Sequence, residues 1–387
     1  MKNEMESMTT VSRSVEFGFR AIGVWPGTSC AILFEVFSIS SMVIFQIFQY
    51  RYAIVNFGQE DFTLLMDALS VTFAYTLLLI KMIIFALNAR LLNEIIEHVV
   101  KDWEECNILD RYTMTRMAYI SRRFSNMIIF SHTISVFFYA TGALLKQKGD
   151  NQTDARELIV KMELPFEVEM LSTPIYVTIL ITQFLHQSSA AAMVGVLNSF
   201  LITLVLHACG QIDIVRQKFS EITRKNDERD ATQSIMKTLI VRHQRIIAFS
   251  KNIEALFSNI ALIQFVSNTL VICCLGFLIV ISIGVPGGSM MLIKSVFFYI
   301  VMSLEAFIYC FVGEYLSTKS EMIGDAVYES NWYELSPSQN RDILLMIIRS
   351  QKHLTLTIGK VADLSLKQFA DIVKASASYV SVLHAMY

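Results

Sequence analysis

Seven apolar stretches, poor in charged residues, dominate this chain of 387 residues. Each approaches or exceeds the roughly 20 residues that an α-helix needs to cross a bilayer. Charged residues make up 17% of the chain, against about 25% in soluble proteins. We therefore predict an all-α membrane protein with seven transmembrane helices. The stretches cover about 31–50, 63–87, 124–145, 171–206, 257–285, 292–316 and 364–387.

Lys and Arg residues are concentrated in alternate gaps between these stretches. The N-terminal segment and the second, fourth and sixth gaps hold 23 of the 32, whereas the first, third and fifth gaps hold 6 when Lys294, at the start of the sixth stretch, is counted with the fifth gap. Loops rich in Lys and Arg stay in the cytoplasm. The bias predicts a cytoplasmic N-terminus and an extracellular C-terminus, the reverse of a G-protein-coupled receptor.

Several protein classes are disfavoured. The first thirty residues contain Glu4, Glu6 and Glu16 and no apolar core, so we expect the first span, not a cleaved signal peptide, to direct insertion. A net charge of −2 argues against a nucleic-acid partner. We predict that the chain is not an enzyme and binds no cofactor or metal ion. It lacks CxxC, HExxH, GxSxG and Walker-type motifs, and its histidines lack metal-ligand spacing. The six cysteines lie outside the predicted extracellular gaps, so we expect no structural disulfide.

Two uncharged segments need an interpretation. Residues 170–212 could hold two short helices, but two spans need about 40 residues plus a turn. The middle, Ser188–Met193, has no helix breaker, so we predict one long helix that extends into the cytoplasm. In contrast, Val285–Ser289 contains Pro and two Gly. We expect an outer hairpin there, joining spans five and six.

Charged residues inside the spans are expensive and must be accommodated. We expect Glu35 and Lys81 to snorkel to the inner interface. Glu305 lies near the middle of span six, so we expect it to have a polar partner or to touch a water-filled space. The third gap contains the sequon Asn151-Gln152-Thr153, which predicts glycosylation of Asn151 on the extracellular side.

The fourth and sixth gaps contain apolar residues at helical spacing. Ile212, Val215 and Phe219 illustrate the pattern in the fourth gap, and Ile343 and Ile347 illustrate it in the sixth. A polar patch at 225–230 is a candidate loop. Such helices must bury their apolar faces, either within one chain or in a cytoplasmic hub shared by several subunits. Periodicity alone leaves both alternatives open.

The last span combines small and hydroxyl residues with apolar ones between Ala375 and Tyr387. This pattern fits either close helix packing or a wet pore wall. In this region the chain resembles the insect odorant receptor family. The residues that match, in order and spacing, are Cys310, Gly313-Glu314, Leu316, Ser320, Ala326–Tyr328, Trp332-Tyr333, Arg349–Lys352, Gly359, Ser365–Phe369 and Ser378-Tyr379, with Ser172–Pro174, Tyr176, His207 and Gln211 further upstream. His353 and Asn198 depart from the pattern, where many members have Pro and an acidic residue respectively.

The resemblance implies a ligand-tuning receptor rather than the shared co-receptor. Members of the family are subunits of tetrameric ligand-gated cation channels in the plasma membrane of olfactory sensory neurons. A tuning receptor assembles with the odorant co-receptor, cytoplasmic extensions of helices 4–7 form an anchor, and the last helix lines the pore. The corresponding division is 1–206 and 257–316 for the membrane bundle, 207–256 and 317–358 for the anchor, and 359–387 for the pore helix.

The resemblance places a small hydrophobic odorant in the outer half of the bundle, with membrane lipid around it. Given the predicted orientation, the candidate ligand-binding residues are Leu69, Phe73, Thr76, Phe138, Gly142, Tyr176, Leu180, Phe184, Phe277, Phe298 and Tyr299. Val382 matches the hydrophobic gate of the family. Ser378, Ser381 and Ala385 are further candidates for the pore wall, and Asp371 for a charge at its inner end, unless it only pairs with Lys367.

Rival functions are a gustatory-receptor-like channel, a G-protein-coupled receptor and a transporter. The charge bias opposes the second. A transporter should show inverted repeats, and the chain has no recognisable internal repeat. The gustatory alternative is the hardest to exclude, because its C-terminal signature overlaps.

Overall fold

The computed structural model describes residues 9–58, 62–149, 156–222, 229–283, 288–330 and 332–386. Within these ranges the protein is almost entirely helical. Its elements are α1 (Arg13–Ala21), α2 (Ala31–Val55), α3 (Phe62–Leu87), α4 (Ala89–Glu104), α5 (Ile108–Gly149), α6 (Thr173–Ile222), α7 (Arg229–Ser282), α8 (Ser289–Tyr328), α9 (Pro337–Ser350), β1 (Thr357–Ile358), β2 (Ala362–Asp363) and α10 (Leu366–Met386), with short 3₁₀ turns at Val168–Met170 and Trp332–Glu334. Asn151, part of the 225–230 patch and most of the 285–289 turn lie outside the described residues.

Each of the seven predicted spans corresponds to one helix. Among the described residues, six helices are long and apolar enough to cross a membrane: α2, α3, α5, α6, α7 and α8. The seventh predicted span is α10, which has 21 residues and carries charged residues in its first half. The division into seven hydrophobic helices therefore follows from the apolar pattern.

The uncharged segment predicted to form one long helix does so from Thr173 onward, with no break before residue 212. Helix α6 has 50 residues and α7 has 54. At 1.5 Å per residue these helices are about 75–80 Å long, more than twice the roughly 30 Å of a bilayer's hydrocarbon core. Both must therefore extend well beyond the membrane.

Helix α6 is the central element. In its most apolar stretch 78% of the residues are buried, against 11% in α2. The side chain of Phe200 is fully buried in α6 and meets Phe19 of α1, with 4.9 Å between ring centroids. Helix α2 lies at the periphery, and most of its apolar residues are exposed on the surface of the single chain.

The sequence did not reveal three elements. Helix α4 is amphipathic, and it buries Leu92, Ile96 and Val99 at helical spacing. Helix α1 packs on α6 through residues such as Phe19. The strands β1 and β2 form an antiparallel hairpin whose turn includes Gly359 and Lys360, at φ angles of 57° and 63°. Left-handed φ angles at both central residues are typical of a type I′ turn.

The segment 156–164, in a gap predicted to be extracellular, packs against the bundle rather than lying free. Leu158, Ile159 and Val160 are buried. The Gln183 side chain of α6 accepts a hydrogen bond from the Ile159 N–H (3.1 Å) and donates one to the Val160 carbonyl (3.3 Å). The Glu163 N–H donates to the carbonyl of Phe48 in α2 (3.1 Å). These bonds pair polar backbone groups that burial would otherwise leave unpaired.

Candidate functional site

A cavity lies between α3, α5, α6 and α8. Its volume is about 80 Å³. Each helix contributes a stripe of residues spaced i, i+3, i+4, i+7, which places them on one helical face. The stripes are Val71, Ala74, Tyr75 and Leu78; His132, Ser135, Val136 and Tyr139; Gln187, Ala190, Ala191 and Val194; and Phe298, Val301, Met302 and Glu305, with Leu77 also in contact.

The cavity is mainly apolar and contains small side chains. Ala74, Ala190 and Ala191 leave space that larger residues would fill. A buried apolar cavity of about 150 Å³ holds a benzene ring, so a ligand of that size has to displace lining side chains here. Met302 is unbranched and adaptable, which makes it suited to such a movement.

Charged residues meet at the wall of the cavity. The Lys81 ammonium lies 2.6 Å from Glu305 Oε1, and both side chains are 1% exposed. Asn198 of α6 donates a hydrogen bond to the same oxygen (3.1 Å) and accepts one from Lys81 (3.2 Å). The Lys81 ammonium also lies 5.4 Å from the ring centroid of Tyr309. Pairing of this kind offsets the cost of burying two charges.

These contacts decide two expectations. The expectation that Lys81 snorkels to the interface is wrong, because its ammonium points inward to Glu305 and is buried. The physical reason is that a carboxylate within the bundle offers a partner that lipid does not. The expectation for Glu305 is confirmed, since it has polar partners and lines the cavity.

A second buried ion pair joins the same two helices. Lys294 of α8 lies 2.6 Å from Asp67 of α3. The Tyr139 hydroxyl of α5 donates to Asp67 (3.4 Å), and its ring centroid lies 4.9 Å from the Lys294 ammonium. The cavity residues of α3 and α8 lie between the two pairs in sequence. Along the chain α3 carries Asp67 and then Lys81, and α8 carries Lys294 and then Glu305, so opposite charges meet only in the parallel arrangement observed.

The predicted ligand-binding residues are distributed over several environments. Phe298 lines the cavity. It also belongs, with Leu69, Phe73, Phe277 and Tyr299, to an apolar cluster that α3, α7, α8 and α10 form beside it. In this cluster Phe277 is fully buried and makes an edge-to-face contact with Phe62 at 5.3 Å.

The remaining candidates make other contacts. Thr76 faces α2, where it accepts a hydrogen bond from Gln46 (2.6 Å). Tyr176 donates from its hydroxyl to the Glu157 carbonyl (2.7 Å) and so holds the segment at 156–164. Leu180 and Phe184 are half-buried against the main core, Phe138 stacks on Phe297 with 3.9 Å between centroids, and Gly142 lies against Lys294.

The candidate pore residues share one face of α10. Asp371, Ser378, Ser381, Val382 and Ala385 are all exposed in the single chain, and Val382 is 57% exposed. The opposite face packs inward. Ile372 and Ser376 are buried, and the Val380 side chain fills the space beside Gly276, where an added Cβ would lie 2.7 Å from it.

A buried hydrogen-bond chain links the N-terminal segment to α4 and α6. The Trp103 indole N–H donates to the Thr10 hydroxyl (2.9 Å), which bonds to His207 Nδ1 (2.9 Å). His207 Nε2 bonds to Asp102 Oδ2 (3.0 Å). This order resembles a nucleophile–base–acid triad. Thr10 and His207 are however almost completely buried, and neither residue lines the cavity, so the arrangement is structural.

The charge state of Asp102 follows from the same contacts. Burial raises the pKa of Asp102, but the hydrogen bond with His207 and the charges of His207, Arg245 and Arg242 lower it more, so its pKa lies below the ordinary value. Arg245 also pairs with Glu105. The junction between α4, α6 and α7 is therefore held by a carboxylate that stays ionised.

Comparison with known proteins identifies the chain. Residues 61–377 match the family described as 7tm Odorant receptor. The chain is 28% identical to odorant receptor Or2 of Anopheles gambiae and 27% identical to odorant receptor 10 of Aedes albopictus, over 57% and 61% of this chain and 59% and 62% of those relatives' length. It is 24% identical to odorant receptor 82a of Drosophila melanogaster over 86% of this chain and 87% of that protein.

The fold has a counterpart among solved structures. The insect olfactory receptor OR5 from Machilis hrabei, in complex with eugenol, superposes with a TM-score of 0.81 at 14% identity, over 100% of this chain and 98% of that one. The chain thus has the seven-helix membrane fold of that receptor. The family match over residues 61–377 shows that the chain belongs to the insect odorant receptor family. The gustatory, G-protein-coupled and transporter alternatives are therefore set aside.

Proposed function

We propose that this odorant receptor is the ligand-tuning subunit of a heteromeric, odorant-gated, non-selective cation channel. It assembles with the shared odorant co-receptor in the plasma membrane of olfactory sensory neurons. A small volatile or lipid-like molecule binds within the helix bundle and opens a central pore.

The cavity between α3, α5, α6 and α8 is the observation that carries this proposal. Binding sites for small molecules are concave and mainly apolar, with few polar groups that fix orientation. The cavity has this character, since Val71, Val136 and Val301 lie beside the polar Gln187 and Glu305. Odorants are small and apolar, so burial in such a site supplies most of their binding free energy.

The exposed face of α10 supports a role as the pore wall. Val382 and Ala385 would narrow the pore in an assembly, and Ser378 and Ser381 would line it. A ring of apolar side chains closes a channel by excluding water. Asp371 would add a negative charge at the inner end, as a cation pathway favours.

A continuous apolar contact connects the ligand site with α10. Met302 lines the cavity, and it also belongs to the cluster that contains Ile372 of α10. A ligand that displaces Met302 therefore acts, through this cluster, on the packing of the last helix. Opening requires that the ligand bind the open arrangement more tightly than the closed one.

Exposed apolar residues on α9 support a shared cytoplasmic anchor. Ile343 and Met346 are buried within the chain, whereas Leu344, Leu345 and Ile348 are each more than half exposed. Contiguous exposed apolar residues mark interaction sites. A subunit contact through α9 and the extended ends of α6 to α8 would cover them.

Expression with and without the odorant co-receptor tests the proposal. Whole-cell current is recorded against a panel of volatiles and cuticular lipids. The expected result is a current that needs both subunits and at least one compound from the panel. Full-length protein at the cell surface that gives no current with the co-receptor would contradict the proposal.

A further inference from the structure

Three hydrogen-bond acceptors at the cavity wall have no donor among the residues that the structure describes. Gln187 Oε1 and His132 Nε2 are buried and unpaired. Both hydrogen bonds that Glu305 receives end on Oε1, one from Lys81 and one from Asn198, so Oε2 accepts none. His132, Gln187 and Glu305 come from three different helices and all line the same cavity.

The role of His132 follows from its other ring nitrogen. Nδ1 lies 2.9 Å from the carbonyl oxygen of Ile128. A carbonyl only accepts hydrogen bonds, so Nδ1 carries the proton. His132 is 4% exposed, and the described residues place no carboxylate in hydrogen-bond contact with it. A second proton would bury an unpaired charge, so the ring is neutral and Nε2 is an acceptor.

Some donors near the cavity are already engaged. The Lys81 ammonium donates to Glu305 and Asn198, and the Tyr139 hydroxyl donates to Asp67. The Ser135 hydroxyl and the Gln187 amide N–H groups also line the cavity and could donate to a ligand. A ligand that only accepts hydrogen bonds would still leave the acceptors of the wall unpaired, whereas a hydroxyl group can both donate and accept. An unpaired buried polar group weakens binding about tenfold or more.

The charge balance narrows the ligand class further. Lys81 and Glu305 form a neutral pair. A cationic amine would add an uncompensated charge to a buried apolar site, which is costly. A neutral hydroxyl group donates one hydrogen bond without changing the charge.

From this arrangement, and assuming the proposed ligand site, we propose that the receptor selects small neutral alcohols or phenols over ethers, esters and hydrocarbons of the same shape. The hydroxyl group donates to His132 Nε2 or to Gln187 Oε1, the two buried acceptors that have no donor among the described residues. The apolar part of the ligand lies against the valine and alanine side chains.

Matched pairs of compounds test the selection. The probes are 1-hexanol with hexyl methyl ether, benzyl alcohol with benzyl methyl ether, and phenol with anisole, and benzylamine tests the charge argument. Binding is measured as thermal stabilisation of the purified full chain in nanodiscs, and opening as current with the co-receptor. We expect each hydroxyl compound to bind at least about tenfold more tightly than its ether, the ratio that an unpaired buried acceptor costs, and benzylamine to bind more weakly than benzyl alcohol.

Two variants assign the preference to the acceptors. His132→Phe and Gln187→Leu each remove one acceptor at similar size, and at least one should reduce the preference for hydroxyl compounds severalfold. The control is His98→Phe in α4, a histidine that does not line the cavity, and it should leave the preference unchanged. If His132→Phe does not fold, Gln187→Leu alone provides the test.

The two readouts separate this inference from the proposed function. Hydroxyl-selective stabilisation without any current would uphold the ligand class and overturn the channel proposal. Equal binding of alcohols and ethers, no stabilisation by any hydroxyl compound, or a preference that survives both cavity variants would overturn the ligand class, whatever the current shows.

Discussion

Lys81 and Glu305 lie 224 positions apart in the sequence, and their charged groups lie 2.6 Å apart inside the bundle. The pair joins α3 to α8 at the wall of the cavity that α3, α5, α6 and α8 form. Both residues are 1% exposed, so neither charge can be left alone without a large penalty.

Removing one partner of the pair should be far more damaging than removing both. Lys81→Met or Glu305→Met leaves one unpaired buried charge and should destabilise the fold by about 3–5 kcal/mol. The double variant should recover most of that loss, because it buries no charge. Thermal unfolding of the purified receptor measures the three effects. Additive losses in the double variant would show that the pair does not act as a unit.

Exchanging the charges of the Asp67–Lys294 pair should test whether this pair sets the register between α3 and α8. Asp67→Lys and Lys294→Asp each place two like charges together, and each should reduce the amount of folded receptor at the cell surface. The double exchange restores opposite charges at these two positions, where the wild-type charged groups lie 2.6 Å apart. Surface labelling should show partial recovery. If the double exchange gives no more receptor at the cell surface than the worse single variant, the two residues do not act as a pair.

Filling the cavity should weaken the ligand response with a modest cost in stability. Val301→Phe adds volume to a wall whose cavity is about 80 Å³, and overpacking of this kind costs about 1–3 kcal/mol. We expect at least a tenfold rise in the half-maximal ligand concentration. Val43→Phe, at an exposed position of α2, is the matched control and should respond normally. An unchanged dose–response curve for Val301→Phe would move the ligand site elsewhere.

The two faces of α10 should differ in accessibility from the pore. Val382→Cys lies on the exposed face, and Val380→Cys faces Gly276. A thiol reagent applied during ligand stimulation should change the current of the first variant and spare the second. Val382→Lys should also alter ligand-evoked current, because a ring of charges keeps a closed pore hydrated. If Val382→Lys leaves the current unchanged and Val382→Cys is not modified, the gate assignment is wrong.

Acidification should weaken the junction that Asp102 holds. Its pKa is below the ordinary value in the folded protein, mainly because the hydrogen bond with His207 and the nearby arginine charges outweigh burial. A carboxylate of this kind stabilises the fold above its unfolded pKa of about 3.9, and the contribution is lost as pH falls through the folded pKa. The thermal midpoint should drop below about pH 4, and Asp102→Asn should reduce that drop. Asp363→Asn, at an exposed carboxylate of β2, is the control and should keep the acid dependence unchanged.

The sequence anticipated most of the helices but few of the cavity residues. Apolar runs such as 171–206 predict a helix, because a chain inside the bilayer must form its backbone hydrogen bonds within the segment itself. They do not show which side of the helix faces protein. Of the predicted ligand-binding residues, Phe298 lines the cavity, whereas Tyr75, His132 and Gln187 also line it but were not among the candidates. Their i, i+3, i+4, i+7 spacing is present in the sequence, but the same spacing fits every other face of a uniformly apolar helix.

The sequence by itself therefore determined the seven hydrophobic helices, the charge bias that orients them, the single long helix at α6 and the family signature in the last eighty residues or so. Only the tertiary structure decided that Lys81 turns inward to Glu305, that Asp67 meets Lys294, and that four stripes converge on one cavity. The physical reason is that hydrophobicity and helix length are local properties, readable from consecutive residues. The rotation of each helix depends on partners that lie hundreds of positions away.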